Sequence, residues 1–191
     1  MKKIELIVGL IAVLSVFLKV FHITGGIILL ASAFYTLSTV YYVFGFALFN
    51  NIRLRDIFKK ASYKDTTVKR IIGAVGLGWA ISAIISGGLF KLQLWPGAGI
   101  LLPTGLVSIG IILIIAIIFY FRSKADYYKG IFKRIAIYAV LGLVFYLTPN
   151  STLVDIYYRY NPEIKTEIKV ENTGMLPASY LAVCPNSIIS I

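Results

Sequence analysis

Five long apolar runs divide the chain, over residues 4–20, 27–49, 68–90, 99–121 and 131–147. A helix rising 1.5 Å per residue needs about 20 residues to cross a hydrocarbon layer of ~30 Å. The second, third and fourth runs meet that length and the first, at 17 residues, comes near it; each of the four predicts a membrane-spanning helix. The fifth is shorter than the middle three and keeps Lys133 and Arg134 near its start, so it is either a full span or partly interfacial. The first run follows Lys2 and Lys3, in the manner of a signal peptide. No small-residue cleavage site follows Val16, however, and an uncleaved first helix is expected.

Shifting the chain by 72 residues superimposes two hairpins without a gap. Lys19 falls on Lys91, Gly25 on Gly97, and Ile28-Leu29-Leu30 on Ile100-Leu101-Leu102. A shared lysine and glycine at the same turn, with equivalent helices on either side, point to an internal repeat. A two-span unit repeats in one orientation, so the hairpins are expected as parallel repeats about an axis along the membrane normal. The predicted fold class is an all-α integral membrane protein of about five transmembrane helices: two tandem hairpins, a fifth helix and a short C-terminal tail. Its organisation reads as hairpin 1 over 1–50, a basic loop over 51–70, hairpin 2 over 71–122, a loop and fifth helix over 123–148, and a tail over 149–191.

Composition agrees with that pattern. Of 191 residues, 59% are hydrophobic and only 14% charged, more apolar side chain than a soluble domain of this size can bury. The net charge of +11 changes the picture through its placement. Fourteen of the 19 basic residues fall in three segments: Lys2 and Lys3, the stretch from Arg53 to Arg70, and the stretch from Arg122 to Arg134. The alternate turns carry only Lys19 and Lys91. The positive-inside rule then puts the N-terminus and both basic loops in the cytoplasm and the tail, after five spans, outside. Anionic lipid headgroups are the natural contact of those loops, and nucleic acid is not an expected partner.

The turns follow membrane chemistry. Lys19 and Lys91 stand at helix ends, where a long stem is expected to lie on apolar surface while the ammonium reaches the headgroups. Phe21, His22 and Trp95 share that depth. Pro96 and Pro103 flank the start of the fourth helix, where a missing N–H costs little. On the third helix, Ala74, Gly78, Ser82 and Ser86 recur every four residues. Such a face admits a close neighbour, either another helix of this chain or a second copy.

The segment Phe90-Lys91-Leu92-Gln93-Leu94-Trp95-Pro96-Gly97-Ala98 resembles the outer turn of the GldL family, inner-membrane proteins of gliding motility and type IX secretion in Bacteroidota. The family pattern resembles F-K-I-x-H-W-P-G-A. The first hairpin keeps its Lys and His as Lys19 and His22 but has Ile23-Thr24 for Trp-Pro; the second keeps Trp95-Pro96-Gly97-Ala98 but has Leu94 for His. The resemblance covers about 90 residues and leaves the fifth helix and tail aside. It implies a hairpin that assembles with a membrane partner into a proton-driven motor, coupled by a glutamate eighteen residues after the motif lysine. Here those positions hold Leu37 and Ile109. With no acidic residue expected in the interior of any span, a motor role is not expected either.

Candidate chemistry is sparse. One histidine cannot build a His-rich metal site. The membrane serines lack a nearby base, Gly73 to Gly78 lies within an apolar helix rather than in a phosphate-binding loop, and Cys184 reads as an ordinary small residue. No catalytic, cofactor or metal residues are assigned. Thr36, Ser38, Thr39, Tyr41 and Tyr42 either line a small polar cavity or bond neighbouring helices or backbone carbonyls. In the tail, residues 163–171 alternate charged and apolar as a half-buried strand does. The expected function is a non-catalytic scaffold or interaction subunit of the bacterial inner membrane, working with a membrane-protein partner or as a homo-oligomer. The alternative is a small transporter or channel of two parallel repeats.

Overall fold

The structure, a computed structural model, describes residues 2–64, 66–124 and 126–159. Long helices carry it: α1 (Lys2–Val20), α2 (Gly26–Phe49), α3 (Val68–Gln93), α4 (Ala98–Ser123) and α5 (Asp126–Leu147), followed by the short α6 (Asn150–Tyr157). Two single 3-10 turns, Leu54–Asp56 and Lys60–Tyr63, lie in the connection between α2 and α3. No strand occurs among the described residues. The alternating stretch 163–171 and Cys184 lie outside them.

The chain divides into two compact units, Met1–Thr148 and Pro149–Ile191. In the second unit the described element is α6. Pro149 supplies an extended residue before its first turn.

In the first unit, consecutive helices pack antiparallel. Gly26 approaches the backbone of Leu18 and Lys19, Gly45 and Tyr41 approach Gly78, and Gly87 approaches Leu102. α5 turns back to run parallel to α3, bringing Gly142 to Ile84 and Phe145 to Gly88. α3 thus has neighbours on several sides and supplies much of the core, including Ala74, Leu77, Ile81, Ile84, Ile85 and Leu89. The outer helices instead expose apolar stripes at helical spacing. On α4 these are Ile100, Val107, Ile111, Ile114, Ile118 and Phe121; on α5, Ile137, Val140, Val144 and Leu147. Rows of exposed aliphatic side chains suit lipid, which removes the cost of leaving them in water.

Four helices, α2 to α5, are long and apolar enough to cross a membrane. α1 differs in composition rather than form: its 19 residues hold Lys2, Lys3, Glu5 and Lys19. α5 begins well before the apolar run 131–147, at Asp126. Pro103 corrects one expectation: it lies in the second turn of α4, inside the helix, where its ring removes a backbone bond that a first-turn proline would not.

Candidate functional site

At one end of the bundle, three helices deliver polar groups to a single point. Glu5 stands in the first turn of α1, Tyr41 is fully buried on α2, and Arg134 lies on α5. The guanidinium Nη2 of Arg134 bonds Glu5 Oε2 at 2.6 Å, with the two side chains only 19% and 17% exposed. The Tyr41 hydroxyl donates to the other carboxylate oxygen, Oε1. Both oxygens of Glu5 therefore have donors. That arrangement lets a carboxylate sit among apolar neighbours, where an unpaired one would be prohibitive.

Aromatic rings enclose the cluster. The Tyr138 ring meets Tyr41 edge-on at 5.1 Å, and the Tyr41 and Phe49 centroids are 6.1 Å apart. The Arg134 guanidinium carbon also lies 5.2 Å from the Phe49 ring centre, a cation–π distance. A second cation–π contact joins α3 to α5, where the Arg70 guanidinium carbon lies 4.7 Å from the Tyr127 ring centre.

Glu5 stands in the first turn of α1, outside the span interiors in which no acidic residue is expected, yet its carboxylate is largely enclosed. Its position near a helix end conceals that α5 folds back over it. A signal was present at Arg134, which shares one helical face with Ile131 and Tyr138 and precedes Ile135. Ile131 and Ile135 are buried, whereas the adjacent Lys133 is exposed. A cation at an apolar-periodic position needs a partner; the sequence could not say which residue provides it.

The face formed by Ala74, Gly78, Ser82 and Ser86 meets α2. A Cβ on Gly78 would lie 2.4 Å from the Tyr41 carbonyl oxygen and 3.1 Å from the Gly45 Cα, so the helices touch backbone to backbone. One turn further along, Ser38 Oγ lies 2.8 Å from both Ser82 Oγ and Ser86 Oγ, and 3.3 Å from the Ser82 carbonyl oxygen. The hydroxyls of the polar stretch on α2 thus divide between roles. Ser38 bridges helices, whereas Thr36 returns its hydroxyl to the Ser32 carbonyl of its own helix.

At the opposite end lie the two hairpin turns. His22 and Leu94, 72 positions apart, both adopt left-handed backbone, with φ of 56° and 57°. Three residues later Gly25 and Gly97 do the same, with φ of 87° and 104°. The Ile23 N–H bonds the Leu18 carbonyl and the Trp95 N–H bonds the Phe90 carbonyl, the six-to-one closure of a Schellman turn. Glycine is favoured at 25 and 97 because a Cβ resists that φ. Trp95 is half exposed and packs edge-on against Phe90 at 5.6 Å, while His22 and Pro96 are exposed and Lys91 partly so.

Lys19 corrects another expectation. Its ammonium turns inward rather than to the surface, donating to the Leu92 carbonyl and, at 2.8 Å, to Gln93 Oε1. The last carbonyls of α3 lack partners within the helix and carry the negative end of its dipole. A cation beside them is therefore better placed than one on apolar surface. Lys19 ties the first turn to the second; Lys91 does not repeat the contact.

Leu37 and Ile109, the positions where the family resemblance implies a glutamate, are both buried in the core. Among the described residues, no three His, Cys, Asp or Glu side chains gather to hold a metal. No family model, curated protein or solved structure matches the chain.

Proposed function

We infer that this chain is a non-catalytic, polytopic protein of the bacterial inner membrane, acting as a scaffold or interaction subunit. The observation that carries this reading is the bundle's division of labour. Its polar groups are spent on one another, as Glu5 with Arg134 and Tyr41, Ser38 with Ser82 and Ser86, and Lys19 with α3. Its apolar stripes on α4 and α5 face outward. On this reading α1 completes a set of five spans, because its charges lie near its two ends and Glu5 is neutralised by Arg134. The basic segments at one end favour a cytoplasmic N-terminus. The resemblance of the outer turn to GldL supports assembly with another membrane protein, without a carboxylate at Leu37 or Ile109 to couple protons.

Partner capture tests the reading. Crosslinking in native membranes followed by gentle solubilisation is expected to recover one defined assembly, containing a second membrane protein or further copies of the chain. Recovery of the chain alone at every crosslinker concentration would overturn it. Reporter fusions within 57–62 and 22–24 test the orientation, with cytoplasmic activity expected only from the first.

A small transporter or channel is the second reading. The ion pair of Glu5 and Arg134 favours it, since ionisable groups inside membrane bundles commonly mark transport pathways. Solute flux in proteoliposomes above that of empty vesicles, lost in Glu5→Gln, would establish it.

A further inference from the structure

The connection between α2 and α3 is folded as a chain of tight turns. Backbone bonds run from Asp56 to Arg53, Lys59 to Asp56, Ser62 to Lys59 and Thr66 to Tyr63. The Tyr63 hydroxyl donates to the Ile57 carbonyl at 2.7 Å and pins the second turn to the first. On this scaffold Phe58 is 97% exposed. A phenylalanine held out of contact on a built segment is costly to leave in water.

The charges around it are sorted. Lys59 bonds Asp56 at 2.9 Å, with Arg55 at 3.8 Å, and that lysine's hydrogen bond holds the Asp56 carboxyl below its ordinary range. Lys60 and Lys64 make no ion pair among the described residues and, with Ala61 and Tyr63, border a shallow, open surface depression. Both ends of the connection are anchored by helices apolar enough to span a membrane, α2 ending at Phe49 and α3 starting at Val68.

We propose that this connection is a binding site for the anionic phospholipid of the protein's own bilayer, with Phe58 entering the interface and the Lys60 and Lys64 ammonium groups receiving the headgroup phosphate. An exposed aromatic ring on the same short connection as two exposed lysines, which form no ion pair among the described residues, matches one ligand that is apolar below and anionic above. A soluble phosphate satisfies the lysines but offers nothing to Phe58. A lipid satisfies both. The proposal rests on the membrane reading above and adds to it a particular place, with the residues that would receive the headgroup.

The full-length chain in nanodiscs provides the test. Integration into discs reports on the membrane reading alone. Lipid retention, counted by native mass spectrometry after mild delipidation, then reports on the site. Phosphatidylglycerol is expected to be retained over phosphatidylcholine, and the double variant Lys60→Ala/Lys64→Ala to reduce that preference by roughly tenfold. The exposed Lys124→Ala, in the other basic segment, serves as control and should leave most of it. Phe58→Asp should weaken retention of the same lipid, and soluble glycerol phosphate should not displace it. In Phe58→Trp, fluorescence in excess of the parent's should be quenched by brominated phosphatidylglycerol. If integrated protein loses no preference in the double variant, or if the added tryptophan is quenched by iodide and not by brominated lipid, the headgroup site is wrong while the membrane reading stands. Competition by glycerol phosphate would reassign the site to a soluble anion. Failure to integrate would remove both.

Discussion

Glu5 and Arg134 are 129 positions apart and meet at 2.6 Å, joining the first helix of the bundle to the fifth. The pair closes the end of the molecule where α1 starts and α5 passes, with Tyr41 of α2 as third member. Removing one partner of a buried pair leaves the other charged and unpaired, a loss of about 3 kcal/mol or more. Glu5→Gln and Arg134→Met are each expected to lower the detergent melting temperature markedly. The double variant Glu5→Leu/Arg134→Met should recover part of the loss, because it leaves no orphaned charge. A double-mutant cycle measures the coupling, expected above about 1 kcal/mol. Strict additivity would show that the two groups do not act together.

The α2–α3 seam predicts a contrast between two glycines on one helix. A methyl group at Gly78 would meet the Tyr41 carbonyl at 2.4 Å, whereas one at Gly73 meets nothing within 4 Å. Gly78→Ala must push backbones apart and should cost about 1–3 kcal/mol. Gly73→Ala is expected to be neutral or to stabilise by up to about 1 kcal/mol through helix propensity. Thermal unfolding of the two purified variants under one detergent condition compares them directly.

The first turn separates backbone strain from crowding. Gly25 has φ of 87° and open space around it, while Gly26 would bring a Cβ to 3.0 Å from the backbone of Leu18 and Lys19. Gly25→Ala should destabilise by about 1 kcal/mol through φ alone, and Gly25→Asn by less, since asparagine tolerates left-handed backbone. Gly26→Ala should be worse than Gly25→Asn for a different reason, the loss of close helix contact. Unfolding midpoints of the three variants give the order.

The inward turn of Lys19 predicts an asymmetry between the two motif lysines. Lys19→Met keeps the apolar stem but removes the donor to Leu92 and Gln93, and should cost about 1.5 kcal/mol or more. Lys91→Met, at the equivalent place of the second turn, should cost less. Hydrogen exchange at the C-terminal end of α3 is the sharper readout, with faster exchange expected only in Lys19→Met.

Local rules determined much of this protein. Apolar length placed the helices: the runs 27–49 and 99–121 became Gly26–Phe49 and Ala98–Ser123, because a backbone in a long apolar segment must satisfy its own hydrogen bonds. The shared Lys and Gly spacing marked two turns whose left-handed residues lie 72 positions apart, since a tight helix-to-helix reversal demands positive φ at fixed steps. Tertiary structure decided where the polar side chains went. Arg134 gave notice of an unseen partner, but only the return of α5 across the bundle showed that the partner is Glu5. Lys19 stood where a surface lysine is expected, yet the end of α3, brought beside it by packing, offered unpaired carbonyls that hold its charge better. Helix lengths and turn geometries depend on neighbours in the chain, whereas the destination of a charge in an apolar medium depends on the nearest opposite charge or dipole, which chain order alone does not specify.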